Sequence, residues 1–299
     1  MRNHRRVTLA AIAAALVLVG LPASAGAAPL DAPRHYVALG DSYASGPGIP
    51  EQRADPRGCR RSTNNYPSRL AAVLSVRDFT DVSCSGAKTD NMTAAQSISG
   101  GSNPAQFNAL RPDTDLVTLT ISGNDIGFTE IVFTCARVGV RDPLGNPCER
   151  QSTSGGKDIY AQRIAETAPK VARVLEGIRQ RSARATVLLV GYLRILPPTG
   201  GCYPSFPIAR GDVPYLDGLQ RQLTAMLAEE AFNHGAAFVD SYEGSAGHDA
   251  CQSPQQKWVE GVVPTSQAAA VHPNATGMQA VADLALASLR VLDEASALR

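Results

Sequence analysis

Ser42 and His272 are residues of the types that form a nucleophile and its base in covalent catalysis. Ser42 lies in the sequence Gly-Asp-Ser-Tyr at positions 40–43, which directly follows a short apolar run. A serine hydroxyl is a poor nucleophile until a base removes its proton, and neutral histidine is suited to that task at physiological pH. If the two residues meet in the fold, they would support acyl transfer through a covalent intermediate on Ser42.

Gly86 and Asn124 could supply hydrogen-bond donors to the same reaction. Attack of a hydroxyl on an ester produces an oxyanion, which requires preorganised donors at about 2.7–3.1 Å. The candidate donors are the backbone N–H groups of Ser42 and Gly86 and the side-chain amide of Asn124. Because Gly86 has no Cβ, a substrate could approach its backbone closely. These three residues are therefore the candidate oxyanion hole.

Each of these residues also has a plain structural interpretation. The segments around Ser42, Gly86 and Asn124 could all be ordinary turns that follow strands. His272 could be a surface residue before a helix that Asn274 caps. The plain interpretation is favoured for each residue alone, whereas the four together, in this order along one chain, favour a catalytic site.

Short apolar runs and longer amphipathic segments would position these residues. The apolar runs, most of them followed by turn residues, predict five buried parallel strands: Tyr36–Leu39, Phe79–Val82, Leu116–Ile121, Ala185–Val190 and Ala236–Val239. Apolar residues at three-to-four spacing predict three helices: Asp158–Arg181, Asp212–His234 and Asn274–Leu292. Pro169 is expected to kink or split the first helix. The alternation indicates an α/β fold, in which ligands bind beyond the carboxyl ends of the strands.

Three stretches rich in proline, glycine or cysteine are expected to be irregular loops tied by disulfides: 44–65, 133–157 and Pro197–Pro214. The six cysteines contain no C-x-x-C pair, which disfavours zinc or redox sites. The sequence also contains no H-E-x-x-H motif that would indicate a metal site. Six cysteines allow 15 pairings. Sequential pairing closes loops of moderate length, and it predicts the bridges Cys59–Cys84, Cys135–Cys148 and Cys202–Cys251.

The amino-terminal segment is typical of a secretory signal peptide. Residues 1–28 contain arginines, then an apolar run, then small residues that offer cleavage sites. The run is shorter than the roughly 20 residues of a spanning helix, so we expect cleavage, secretion and no stable membrane anchor. We expect the remainder, 29–299, to form a single domain and a monomer. The formal net charge of +1 gives no electrostatic indication of a nucleic-acid partner.

In wording and order, the four candidate segments resemble the blocks of the SGNH hydrolase family, also called GDSL lipases and esterases. The segments are Val37–Tyr43, Cys84–Thr89, Ile121–Asp125 and Val271–Asn274. The resemblance implies a flavodoxin-like three-layer α/β/α fold with a five-stranded parallel sheet, and an acyl-enzyme mechanism without metal or cofactor. It implies Ser42 as nucleophile and His272 as general base and acid. It also implies Ser42, Gly86 and Asn124 as oxyanion donors.

One position departs from the pattern of most of the family. Most members have an aspartate three residues before the histidine, where this chain has Ala269, and the stretch 264–271 contains no acid. The chain resembles the secreted actinobacterial branch, in which a main-chain carbonyl orients the histidine. The resemblance therefore implies a Ser-His dyad oriented by the carbonyl of Ala269 or Ala270. The alternative is a remote acid, with three candidates: Glu260, Asp249 and Asp240.

Several substrate classes fit the sequence. We expect a secreted esterase or lipase that acts on lipid or small acyl esters. The alternatives are a carbohydrate O-acetyl esterase and a secreted binding protein without turnover. An α/β-hydrolase is disfavoured because the chain contains no G-x-S-x-G sequence.

Overall fold

A computed structural model describes residues 33–298, so the predicted signal peptide at 1–28 lies outside the described residues. Within the described range the strands are β1 His35–Gly40, β2 Asp78–Asp81, β3 Gln96–Ile98, β4 Gly101–Asn103, β5 Leu116–Thr120, β6 Thr186–Val190 and β7 Ala237–Val239. β3 and β4 form a small antiparallel pair. The other five strands form the main sheet, and they correspond to the five apolar runs of the sequence.

The main sheet is parallel throughout and has the order β2-β1-β5-β6-β7. Counted along the chain, this is the order 2-1-3-4-5 of flavodoxin-like folds. All of β5 is buried, and His35 alone in β1 is not. Strands covered on both faces require continuous apolar sequence, which is why these segments do not alternate. The predicted fold class and sheet are confirmed.

The helices within residues 33–298 are α1 Ser42–Ser45, α2 Tyr66–Val73, α3 Phe128–Gly139, α4 Pro147–Thr153, α5 Ile159–Arg181, α6 Val213–Asn233, α7 Ser241–Gly244 and α8 Ala275–Ala297. Short 3₁₀ turns occur at Arg57–Cys59, Thr89–Met92 and Gln106–Ala109. α5 packs against α6 and α2 packs against α8, so helices flank the sheet. The three predicted helices are present as α5, α6 and α8.

Pro169 does not split α5, which runs without interruption from Ile159 to Arg181. Proline removes one hydrogen bond of the helix. The buried apolar face of α5 packs along α6 and outweighs this loss, because tertiary packing supplies most of the stability of a helix in a protein.

The prediction that residues 133–157 form an irregular loop is wrong. α3 extends to Gly139 and α4 occupies Pro147–Thr153, so only a short connection separates them. Pro147 was expected to break regular structure. It lies instead in the first turn of α4, where proline is tolerated. The loop prediction holds better for 44–65 and for the residues before α6, where long irregular backbone is found.

Three disulfides link Cys59 to Cys84, Cys135 to Cys148 and Cys202 to Cys251, which is the sequential pairing expected from the sequence. The first bridge joins the loop after Ser42 to the segment that contains Gly86. Beside it, the backbone N–H of Ser85 donates to the carbonyl of Cys59 at 3.0 Å. Among the helices of residues 33–298, none has the length and apolarity needed to cross a bilayer.

Candidate active site

Ser42 lies in a tight turn at the carboxyl end of β1. Gly40 has a φ of +146°, and a Cβ there would lie 2.6 Å from the carbonyl oxygen of Thr120. Only glycine therefore fits at the end of β1, where the backbone lies close against β5. The next residue, Asp41, donates its N–H to that same carbonyl at 2.8 Å and caps α1 by accepting from the Tyr43 N–H at 2.9 Å. These contacts place Ser42 at the first position of α1.

His272 lies just before α8 and contacts Ser42 directly. Its Nε2 is 2.8 Å from Ser42 Oγ, and its Nδ1 is 2.7 Å from the carbonyl oxygen of Ala270. A carbonyl oxygen can only accept, so Nδ1 must carry the proton and donate it to Ala270. Nε2 is then free to accept the hydroxyl proton of Ser42. This is the tautomer that a general base for serine requires.

The carboxylates of the three remote acids all make contacts away from the His272 imidazole. Asp240 caps α7 by accepting from the Glu243 N–H, and Asp249 accepts from the Cys251 N–H and from the amide of Gln252. Glu260 pairs with Lys257, with 2.9 Å between Oε2 and Nζ. The hydrogen bond of Nδ1 therefore goes to a backbone carbonyl, and that carbonyl belongs to Ala270.

Glu260 is fully buried and organises the loop that leads to His272. Besides the ammonium group of Lys257, its carboxylate accepts from the backbone N–H of Thr265, the hydroxyl of Ser266 and the side-chain amide of Asn274. Burial acts to raise the pKa of Glu260, but these hydrogen bonds outweigh it and lower the pKa to about 2. Since Asn274 also caps α8, one charged group fixes both ends of the short segment around His272.

Val271 is the residue next to His272, and its backbone lies in the left-handed region with φ +57°. A β-branched residue rarely adopts this conformation, so contacts nearby must hold it. The hydroxyl of Tyr43 donates to the Val271 carbonyl at 2.8 Å, and the Val271 N–H donates to the carbonyl of Gly261 at 3.2 Å. The tyrosine directly after Ser42 therefore supports the backbone of the histidine loop.

Gly86 and Asn124 lie on two loops that contact each other at Ala87. Gly86 is exposed, has φ +83°, and has only the Gln96 amide within 4 Å of where a Cβ would be. The amide of Asn124 donates to the carbonyl of Ala87 at 3.0 Å, which leaves its second N–H available. Within residues 33–298, neither the Ser42 N–H nor the Gly86 N–H donates to another group. Three unengaged donors thus lie on these segments.

Tyr192 is part of the candidate site although no sequence motif indicated it. Its hydroxyl donates to Asp41 Oδ2 at 2.6 Å and accepts from the Gly123 N–H at 2.7 Å, which ties the Ser42 turn to the Asn124 turn. Burial raises the pKa of Asp41 to about 7, against the opposing hydrogen bonds from Tyr192 and Tyr43. Its position in the sequence could have indicated this role, because Tyr192 follows β6 at the same edge of the sheet as Ser42 and Asn124.

Burial lowers the pKa of His272, and the positive charge of Arg60 acts in the same direction. The hydrogen bond to Ala270 opposes this shift. A lowered pKa keeps the imidazole neutral at physiological pH, which is the state that accepts a proton from serine.

An apolar cavity lies beside the site, between α3, α5, α6 and the segment after β6. Tyr43 and Gly123, the sequence neighbours of Ser42 and Asn124, form part of its wall. Most of the remaining wall is aliphatic, from residues such as Ile131, Ile164 and Leu219. This lining suits a hydrocarbon group.

Comparison with known proteins identifies the family. The model of the GDSL-like Lipase/Acylhydrolase family matches residues 38–280. Lipase 2 of Streptomyces coelicolor is 41% identical over 290 residues, which cover 93% of this chain and 95% of that protein. A lipase of Streptomyces rimosus is 32% identical over 284 residues, covering 93% of this chain and 95% of the relative.

Solved structures give the same result. The crystal structure of phospholipase A1 from Streptomyces albidoflavus NA297 has a TM-score of 0.72 and 27% identity, covering 86% of this chain and 99% of that one. The extracellular lipase from Streptomyces rimosus has a TM-score of 0.71 and 28% identity, covering 85% and 99%. This chain belongs to the GDSL-like lipase/acylhydrolase family. It is a carboxylic ester hydrolase, similar to lipases and esterases of Streptomyces.

Proposed function

We propose that this ester hydrolase is an exported lipase that cleaves esters of fatty acyl chains through an acyl-enzyme on Ser42, with His272 as its base. The observation that carries the proposal is the continuous line of hydrogen bonds from Ser42 Oγ through both nitrogens of His272 to the carbonyl of Ala270. A nucleophile, a base and an orienting group in contact are the parts that this chemistry requires.

The proposed reaction has two halves. Ser42 Oγ attacks the ester carbonyl carbon while its proton moves to His272 Nε2, and the tetrahedral intermediate collapses when Nε2–H protonates the leaving alcohol. Water then attacks the acyl-Ser42 ester and passes a proton to Nε2, which returns that proton to Ser42 Oγ as the fatty acid leaves. The N–H groups of Ser42 and Gly86 and the free amide proton of Asn124 would stabilise the oxyanion of both halves.

Within residues 33–298 no carboxylate contacts the His272 imidazole, and this reduces the stabilisation of its protonated form. A backbone carbonyl fixes the tautomer and orientation of His272, but it stabilises the transient imidazolium less than a negative charge does. The burial that lowers the pKa of His272 disfavours the imidazolium in the same sense. We therefore assign Ala270 the role of orientation, and the oxyanion donors the larger share of transition-state stabilisation.

The cavity favours a fatty acyl group over acetyl as the acid portion of the substrate. Its lining is almost wholly apolar and consists mostly of aliphatic side chains from several elements, which suits a hydrocarbon chain better than a two-carbon acyl group. Export is supported by the pairing of all six cysteines in disulfides and by the similar extracellular lipase of Streptomyces rimosus. The segment 1–28 would supply the export signal.

The test combines a covalent probe with a chain-length series. We expect a fluorophosphonate to label wild type at Ser42 and to leave Ser42→Ala unlabelled. Ser42→Ala should keep its thermal melting temperature and retain under about 1% of activity, because removal of a catalytic serine typically costs several orders of magnitude. Turnover of p-nitrophenyl esters should be highest for an acyl chain clearly longer than acetate. A clear optimum at acetate would favour the carbohydrate O-acetyl esterase instead.

A further inference from the structure

α3 separates the apolar cavity from solvent and carries apolar residues on both of its faces. On the inner face, Ile131 and Val132 line the cavity. On the outer face, Phe133 is 49% exposed and Val140 is 57% exposed, and Leu144 in the turn that follows is 78% exposed. Large apolar side chains grouped on one exposed surface are a mark of an interaction site rather than of random scatter.

Two arginines lie among these apolar residues. Phe133, Arg137 and Val140 follow the three-to-four spacing of one helix face, and Arg141 comes directly after Val140. Within residues 33–298, neither Arg137 nor Arg141 forms an ion pair. Two acids of this region are already engaged, because Glu130 pairs with Arg163 and Asp142 pairs with Arg150. The surface therefore combines exposed hydrocarbon with uncompensated positive charge.

The helix that carries this surface is held in place at its middle and at its carboxyl end. Cys135 in α3 is bonded to Cys148 in α4. Gly139 lies so close to the segment after β6 that a Cβ there would be 2.5 Å from the carbonyl of Pro207. A fixed helix loses little entropy when it binds a partner, since its side chains are already arranged.

We propose that this outer face, comprising Phe133, Arg137, Val140, Arg141 and Leu144, docks the enzyme on an anionic lipid surface. Apolar side chains beside arginine are the composition that binds the boundary between headgroups and acyl chains. The inner face of the same helix lines the cavity, so docking would place lipid next to the acyl pocket. The proposal rests on the proposed lipase function, because it assigns that function its lipid-facing surface.

The experiment measures binding separately from hydrolysis. Ser42→Ala protein is titrated with vesicles of phosphatidylcholine and phosphatidylglycerol in equal amounts, so that binding is followed without turnover. The test variant adds Phe133→Ser, Val140→Ser and Leu144→Ser to that background. The matched control adds Phe232→Ser and Val291→Ser, which remove apolar side chains that are 85% and 64% exposed. Phe232 lies near the end of α6, just before β7 starts, and thus at the opposite edge of the sheet from the site.

We expect vesicle affinity to fall about ten-fold or more in the test variant and to change less than two-fold in the control. Changing Arg137 and Arg141 to Gln should weaken binding by about five-fold for each charge removed, and only when phosphatidylglycerol is present. With Ser42 restored, the triple serine variant should hydrolyse soluble p-nitrophenyl acetate at the wild-type rate and hydrolyse vesicle or emulsion esters more slowly. Equal binding by the test and control variants would overturn the proposal.

Three other outcomes are informative. If wild type sediments as a dimer and the triple serine variant as a monomer, the face is a contact between copies, and the lipid assignment is wrong. If vesicle binding behaves as expected but no ester is turned over, the docking surface stands and the proposed lipase function fails. If esters are turned over but Ser42→Ala does not bind vesicles at all, the docking proposal fails alone.

Discussion

The two halves of the active site are held by different kinds of structure. Ser42 is fixed by the sheet, through the close approach of Gly40 to the neighbouring strand and a backbone hydrogen bond from Asp41 to Thr120 of that strand. His272 is fixed by a loop, through the buried pair of Lys257 and Glu260 and the cap of α8. The proposed nucleophile thus depends on regular backbone pairing, whereas the proposed base depends on a few buried polar side chains.

This difference explains how the proposed dyad would operate with a backbone carbonyl, rather than a carboxylate, at His272 Nδ1. The buried acid of the loop is used to hold the backbone, and the backbone in turn presents the Ala270 carbonyl to Nδ1 of His272. Orientation is therefore transmitted through the chain rather than by direct contact with a charge. Substitutions in the loop should affect stability and the orientation of His272. Substitution of its acids should not lower kcat as strongly as the loss of a triad member does.

The largest effect on the loop is expected from Glu260→Gln. The change leaves the buried ammonium group of Lys257 without its partner, which typically costs about 3–5 kcal/mol in the free energy of unfolding. Chemical denaturation at neutral pH measures this loss. The matched control is Glu130→Gln, whose partner Arg163 is on the surface, and it should cost under about 1 kcal/mol.

The same variant gives a pH test of the ion pair. The pKa of Glu260 is about 2 in the folded protein, below the ordinary value of 4.5. Its contribution to stability is therefore fully present above about pH 4.5 and is lost as pH falls towards 2. Glu260→Gln should remove this part of the acid sensitivity. A variant as stable as wild type at pH 7 would mean that the loop is not held by this residue.

A smaller effect is expected from Tyr43→Phe, which breaks the contact between the two halves. Loss of the hydroxyl leaves the buried Val271 carbonyl without its donor, at a cost of about 1–3 kcal/mol. Because Val271 adjoins His272, we expect kcat to fall about ten-fold with little change in KM, as for a loss of positioning. The control is Tyr36→Phe, which removes a buried hydroxyl bonded to Thr118 within the sheet. It should lower stability and leave kcat unchanged.

The smallest effect concerns the pH profile of kcat/KM. Burial lowers the pKa of His272, so the neutral base persists below its ordinary pKa of about 6.5 and the acid limb should have its midpoint below that value. Arg60→Gln removes a charge that disfavours the imidazolium, and it should move the midpoint upward. Arg57→Gln, three residues earlier and also exposed, serves as the control and should leave the midpoint in place. A wild-type midpoint above 6.5 would contradict this account.

The sheet half of the site was predictable from sequence because its signals are local. Apolar runs such as Leu116–Thr120 form buried strands, and the residue after each run lies at a known edge of the sheet. The contacts that hold the loop half were not predictable, since they join residues far apart in the chain, as with Tyr43 and Val271. The choice between the carbonyls of Ala269 and Ala270 stayed open for the same reason. It depends on the left-handed backbone of Val271, which no sequence rule assigns to valine.

The central claim is that the carbonyl of Ala270, and no carboxylate, orients His272 in the proposed dyad. The most direct measurement is kcat on a short soluble ester for three variants, each corrected for its folded fraction: Asp240→Asn, Asp249→Asn and Glu260→Gln. Removal of the aspartate of a serine triad lowers kcat by about 10⁴. Since the carboxylate of none of these acids contacts the His272 imidazole in the structure, we predict that all three variants stay within about ten-fold of wild type. A fall of about three orders of magnitude in any correctly folded variant would identify that acid as a third catalytic member and contradict the account.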